Sequence, residues 1–244
     1  MARVRFPRPA GVGAGLVCGV LALLAGCAYH GGPNQSIDNP IVRKSSWFSY
    51  LDGGDIRETC TEGATERYRL VYNGQYYKQT RSYEIFAGLP EGAAKLAARA
   101  RETANLSALR LDNPFAPWQW HRSDTVLSAA EMATFRALLA KSGFGSGAPQ
   151  GLRLHSQDFY WVAAGCVGGT FHYYAWLARK GRFENAVFQD FLLKHDQTGL
   201  AFRQPVPVYG VDRQPHQQGA NDNYEGYFTL TVRGEGLGGL VEAF

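Results

Sequence analysis

The sequence predicts an α+β fold, an antiparallel sheet of about six strands with two helices packed on one face. Three observations carry this. Asn73-Gly74 separates two runs rich in β-formers, Gly168-Gly169 separates two more, and the stretch from Ser128 to Gly143 carries the start and stop signals of a helix. Hairpins of this kind build antiparallel sheets, and an amphipathic helix needs such a sheet to bury its apolar stripe.

In chain order, Trp47-Phe48-Ser49-Tyr50-Leu51 reads as a first strand, Asp52 to Asp55 as a turn, and Ile56 to Cys60 as extended chain. Asn73-Gly74 suits a type I′ turn, which needs positive φ at both central residues. That turn would pair Tyr72 with Gln75 and Arg69 with Lys78, placing Tyr68, Leu70, Tyr72 and Tyr77 on a buried face. The opposite face would present Arg67, Arg69 and Lys78 to solvent, or to anionic lipid. Residues 92–110 fit two readings. Their alanines favour a helix, while the alternation of Leu96, Ala98 and Ala100 with Lys95, Arg99 and Arg101 favours a strand, the preferred reading here. Two prolines, Pro114 and Pro117, then force an irregular segment that carries Trp118, Trp120 and His121.

The best helix runs from Ala129 to Ser142. Ser128 and Glu131 form a capping box, Leu127 and Met132 a hydrophobic staple, and Gly143 with Phe144 a Schellman ending. Its inward stripe is Met132, Phe135, Leu138 and Leu139. A second hairpin joins Phe159–Cys166 to Thr170–Leu177 through Gly168-Gly169, pairing Cys166 with Phe171, Gly165 with His172 and Trp161 with Trp176. Apolar residues at 183, 187, 188, 191 and 192 suggest a second helix over 183–194, closed by Gly199. Residues 203–223 read as a mobile crossing segment, and 224–232 as the last strand.

The N-terminus is a leader. Arg3, Arg5 and Arg8 precede an apolar run to Leu24, and Leu24-Ala25-Gly26-Cys27 follows. The apolar run is about 14 residues, short of the roughly 20 that cross a bilayer. The pattern resembles the lipobox of bacterial lipoproteins, in which the cysteine is acylated and becomes the first mature residue. That resemblance covers only residues 1–27. It implies a signal peptide at 1–26, a lipidated Cys27 with a flexible tether over 27–45 rich in Gly, Pro, Asn and Ser, and one globular domain over 46–244. Multiple acyl chains such as palmitate on one residue suffice for stable anchoring. Ala28 stands where the family often carries an inner-membrane retention aspartate, so the resemblance favours the periplasmic face of the outer membrane. The folded part is similar to uncharacterised proteobacterial lipoproteins, a likeness that implies no activity.

Loss of the leader leaves 218 residues, ample for one core, and retains 22 of the 25 basic residues against 21 acidic, a net charge of +1. With no Lys/Arg run and an export signal, nucleic acid is not an expected partner. Cys18 leaves with the leader and Cys27 is acylated, so Cys60 and Cys166 remain. An oxidising periplasm makes a disulfide the economical reading, with a reduced pair or a metal site as rivals, although neither cysteine has the CxxC spacing zinc favours.

No motif carries chemistry, and no catalytic residue, metal or cofactor is expected. Gly234 to Gly239 matches GxGxxG, but only five residues follow it, too few for a phosphate-binding helix. His155, Ser156, Asp158 and His172 offer a base, a hydroxyl and a carboxylate, yet the hairpin register sets His172 roughly 20 Å along the ladder from His155. The expected function is a non-catalytic envelope protein that binds or braces an envelope or cell-wall partner. A hydrolase of cell-wall sugars or lipids with a dispersed site is the alternative. Candidate contact residues are Trp118, Trp120, Trp161, His172, Tyr174 and Trp176. For the last four, the hairpin face is either covered by a helix, the preferred outcome with 129–142 as lid, or left open as a stacking platform.

Overall fold

A computed structural model describes residues 29–30, 37, 40–103, 112, 119–207 and 228–238. Its centre is a six-stranded antiparallel sheet of β1 (Arg67–Gly74), β2 (Gln79–Phe86), β3 (Ala94–Glu102), β4 (His121–Leu127), β6 (Phe159–Val167) and β7 (Thr170–Leu177), in the order β4-β3-β2-β1-β6-β7. A meander of the first four strands is thus extended at β1 by the later hairpin. β5 (Arg153–His155), β8 (Thr229–Arg233) and β9 (Gly236–Gly238) form a second, three-stranded sheet. Strand is therefore the state of 94–102, while 104–110 and 224–227 lie outside the described residues.

Helix α3 (Ala129–Lys141) has the features read from its sequence. Ser128 accepts from the Glu131 amide, Glu131 accepts from the Ser128 amide, and the Phe144 amide reaches Leu139 O across Gly143 at φ 96°. Met132, Phe135 and Leu139 are buried against the sheet. The β6–β7 hairpin also holds its expected register: Trp161 faces Trp176, Gly165 faces His172 and Cys166 faces Phe171 around Gly168 and Gly169, both at positive φ.

Several expectations are corrected. The first strand is a helix, α1 (Pro40–Asp52), because Arg43, Trp47, Tyr50 and Leu51 recur at helical spacing and are all buried, so tertiary burial overrides the aromatic β-propensity. Gly53, at φ 70°, turns the chain into α2 (Gly54–Thr59), the stretch expected as a turn and extended chain. A Cβ there would lie 2.3 Å from the Ala164 Cβ, so glycine is required for both conformation and close approach to β6. Within the segment expected as tether, Tyr29 and Ile37 are buried in the core and α1 begins at Pro40.

Asn73-Gly74 is not the turn. Both residues continue β1, whose register is Tyr72 to Arg81 and Asn73 to Thr80, and Gln75 to Lys78 make the connection. The competing force is β6, which pairs with β1 through Gly74 opposite Phe159. Asn73 is buried and donates through Nδ2 to Ser156 O and Asp158 O. Tyr77 therefore falls in the connection, not on the face of Tyr68, Leu70 and Tyr72.

The second helix is shorter than its pattern. Only α4 (Gln189–Lys194) is helical, capped at His195 well before Gly199, although Phe188 and Leu192 are buried as the periodicity requires. α3 and α4 cover the face of Tyr68, Leu70, Tyr72, Trp161 and Trp176. The other face, expected to meet solvent or a partner, is covered by α1, α2 and the small sheet, which bury Val71, Val162, Ala164 and Tyr173. Cys60, just after α2, is bonded to Cys166 on β6, with Cα atoms 5.5 Å apart.

Candidate functional site

The four hairpin residues named as candidate contacts lie on one face, and that face is covered. Trp161 is 0% exposed and Trp176 6%. Trp161 donates to Gln189 Oε1 at 3.1 Å and Trp176 to Ser142 O at 2.7 Å, while Phe188 meets both rings edge-on. The cover is thus shared between the C-terminal end of α3 and the 183–192 segment. Tyr174 packs on Trp176, and His172 meets Phe144 at the rim. Trp120 is buried, donates to Ile37 O, and has the guanidiniums of Arg43 and Arg101 near its ring. Trp118 and Cys27 lie outside the described residues.

The basic residues of β1 are not a solvated face. Arg69 is 1% exposed and forms the hub of a buried ionic cluster. It binds both oxygens of Asp55 from α2, at 2.7 and 2.8 Å, and Glu84 from β2 at 2.7 Å. Arg67 bridges the same two carboxylates, and Arg99 on β3 reaches Glu84 Oε2 at 3.3 Å. Above them the Tyr50 ring lies 3.9 Å from the Arg69 guanidinium, and its hydroxyl bonds Ser82. Burial alone would raise the Glu84 pKa, but the guanidiniums of Arg69, Arg67 and Arg99 outweigh it and hold the carboxyl down at about 2. A group so held carries no proton to donate near neutrality, so the cluster fastens α2 to the sheet and is not arranged as a general acid.

Two further polar groups tie the opposite face together. Arg81 donates to Asp196 Oδ2 at 2.5 Å and to Leu200 O, and Tyr83 donates to the same carboxylate at 2.6 Å. His195 has Phe191 O at Nδ1 and Glu131 Oε1 at Nε2. Both partners are hydrogen-bond acceptors. This joins the end of α4 to the cap of α3.

The residues His155, Ser156, Asp158 and His172 are not assembled. His155 bonds the Thr229 hydroxyl and Ser156 accepts from the Phe228 amide, both fixing the small sheet. His172 lies near the far end of the hairpin, opposite Gly165. Asp158 is different. Its backbone is pinned by the Asn73 side chain, the Gln75 amide and His155 O, yet its buried Oδ2 has no hydrogen-bond partner among the described residues. Asp158 also lines a cavity of about 360 Å³, with apolar walls from Phe159, Leu177 and Val206 and basic residues Arg179 and Lys180 at the rim.

The rim is a tight turn. Arg179 and Arg182 exchange two backbone hydrogen bonds, 2.8 and 3.1 Å, which places Lys180 at φ 50° and Gly181 at φ 78°. Gly181 is required here, since a Cβ would lie 2.7 Å from Pro207 Cδ. The sequence marked Asp158 only as the carboxylate of the set that is not assembled, and Lys180-Gly181 is a dipeptide able to turn. Among the described residues no group of three or more His, Cys, Asp or Glu is placed to hold a metal, and no helix is long and apolar enough to cross a membrane. In comparisons with known proteins, no family model, curated protein or solved structure matches this chain.

Proposed function

We propose that the chain is a lipoprotein held at the envelope membrane through acylated Cys27, and that its domain works there as a non-catalytic binding or bracing protein. The observation that carries this reading is the Cys60–Cys166 bond. With Cys18 removed and Cys27 acylated, these are the two remaining cysteines, and a disulfide between them is what an oxidising compartment favours. The buried ion pairs support the non-catalytic part, since Asp55, Glu84 and Asp196 are engaged by guanidiniums that fasten elements together.

Anchoring also has a geometric consequence. Tyr29 packs into the core only two residues after Cys27, and two residues reach no more than about 7 Å. A lipid on Cys27 would therefore hold the domain against the bilayer, not at the end of a long tether. Cys27→Ser should abolish lipid labelling and release the protein from the membrane fraction. Unchanged labelling would overturn the anchor. In crosslinked envelope, one reproducible partner supports the binding role, whereas a cleaved muropeptide or lipid supports a cell-envelope hydrolase instead.

A further inference from the structure

We propose that the cavity beside Asp158 binds a small zwitterion, an α-amino acid, with its ammonium on the Asp158 carboxylate and its own carboxylate towards Arg179 and Lys180. The inference deepens the binding role above and rests on it.

Four observations converge on this ligand class. First, a volume of about 360 Å³ is at the small end of the range for small-molecule sites. Secondly, Asp158 is 7% exposed, its backbone is fixed by three hydrogen bonds, and a carboxylate oxygen is left unpaired out of water. Such an oxygen is costly unless a donor arrives, and a cationic donor satisfies it best. No donor of the fold reaches it: Arg203, which lies over the Phe159 ring, donates through Nη2 to Gln75, and its own buried Nε is likewise without a partner.

Thirdly, Arg179 and Lys180 line the same cavity, so a purely cationic ligand would meet them unfavourably. A ligand with both charges on a short apolar body answers Asp158, the two basic residues and the Phe159, Leu177 and Val206 surface that line the cavity. Fourthly, Lys180 is held in left-handed backbone, which costs a side-chain-bearing residue energy that the rest of the turn must offset. Asn or Gly would fit that position with less strain. A strained lysine at a cavity rim is consistent with a charge that the site uses.

The two charges should contribute unequally. Asp158 is buried, so losing its partner is expensive, whereas Arg179 and Lys180 are exposed and screened by water. The test is calorimetric titration of the purified full chain in detergent micelles with a panel of α-amino acids, their N-acetyl derivatives and their amides. At least one amino acid should bind saturably. N-acetylation should weaken that binding tenfold or more, and amidation only a few-fold. Asp158→Asn should weaken it at least tenfold, and Leu177→Trp, which fills the cavity and leaves Asp158 intact, should abolish it.

No saturable binding at millimolar concentration, or equal binding by the free and N-acetylated forms, would overturn the proposal. So would a thermally stabilised Asp158→Asn with unchanged affinity. Lipid labelling of Cys27 separates this proposal from the anchor, because intact labelling without binding retires only the ligand. Binding without labelling retires only the anchor.

Discussion

Replacing Glu84 by Gln removes the charge on which three guanidiniums converge while keeping the side chain's shape. Breaking a buried pair from one side costs about 3 to 5 kcal/mol, because the remaining charges stay buried and poorly compensated. Proton linkage gives an independent figure. The Glu84 carboxyl is held at about 2 in the fold against 4.5 in the unfolded chain, and each unit is worth about 1.4 kcal/mol, so its ionisation stabilises the fold by about 3 kcal/mol. The folded pKa is the depressed one. That stability is therefore fully present above pH 4.5 and is lost as pH falls towards 2. The assay is urea unfolding of oxidised protein at several pH values, wild type against Glu84→Gln. The gap should be about 3 to 5 kcal/mol at pH 7 and shrink to under about 1 kcal/mol at pH 2, where the protonated acid resembles the amide. Subtracting the two curves removes the acid sensitivity of Glu66, Glu131 and Asp196, whose pKa values are also lowered. A gap that stays constant from pH 7 to pH 2 would refute the assigned role of the cluster.

Trp176→Ala should lower stability by about 3 to 5 kcal/mol, as loss of a large buried aromatic does, and an unchanged melting temperature would show the ring to be dispensable packing. Reducing Cys60–Cys166, which closes a loop of 106 residues, should cost about 4 to 5 kcal/mol in the chain-entropy description, and two free thiols in protein extracted without reductant would contradict the bond. Ser128→Ala removes the acceptor that caps α3 and should cost about 1 kcal/mol in chemical unfolding, with no loss if the cap is idle. Lys180→Gly relieves a positive φ and should raise stability by up to about 1 kcal/mol, while a drop would show that the lysine side chain holds the rim.

The parts of the fold that were legible are those encoded over a few residues. The α3 caps and the Gly168-Gly169 turn depend on local hydrogen bonds and on a φ that glycine permits, so they can be read without knowing what packs nearby. Asn73-Gly74 carries an equally good local signal and fails, because β6 supplies eight residues of pairing along β1, through Gly74 itself. The same non-local term turned Trp47 to Leu51 into a helix. Its aromatic residues suit a strand, but Trp47, Tyr50 and Leu51 are the positions that one helical face delivers to β6 and β8.

The buried arginines were hidden for a related reason. Alternation of Tyr68, Leu70 and Tyr72 with Arg67 and Arg69 is the pattern of a strand with one wet face, and it holds only if nothing covers that face. Here α2 brings Asp55 and β2 brings Glu84, so two charges contributed from elsewhere make burial of Arg69 tolerable. Alternation reports which residues share a face. Whether the polar face is wet depends on partners distant in sequence, and Asp55 was legible only as part of a Gly-Gly-Asp turn. Asp158 shows the converse. The sequence offered it only as the carboxylate of a His155, Ser156 and His172 set that the fold does not assemble, and the lack of a partner at its Oδ2 becomes visible only once the surrounding backbone is in place.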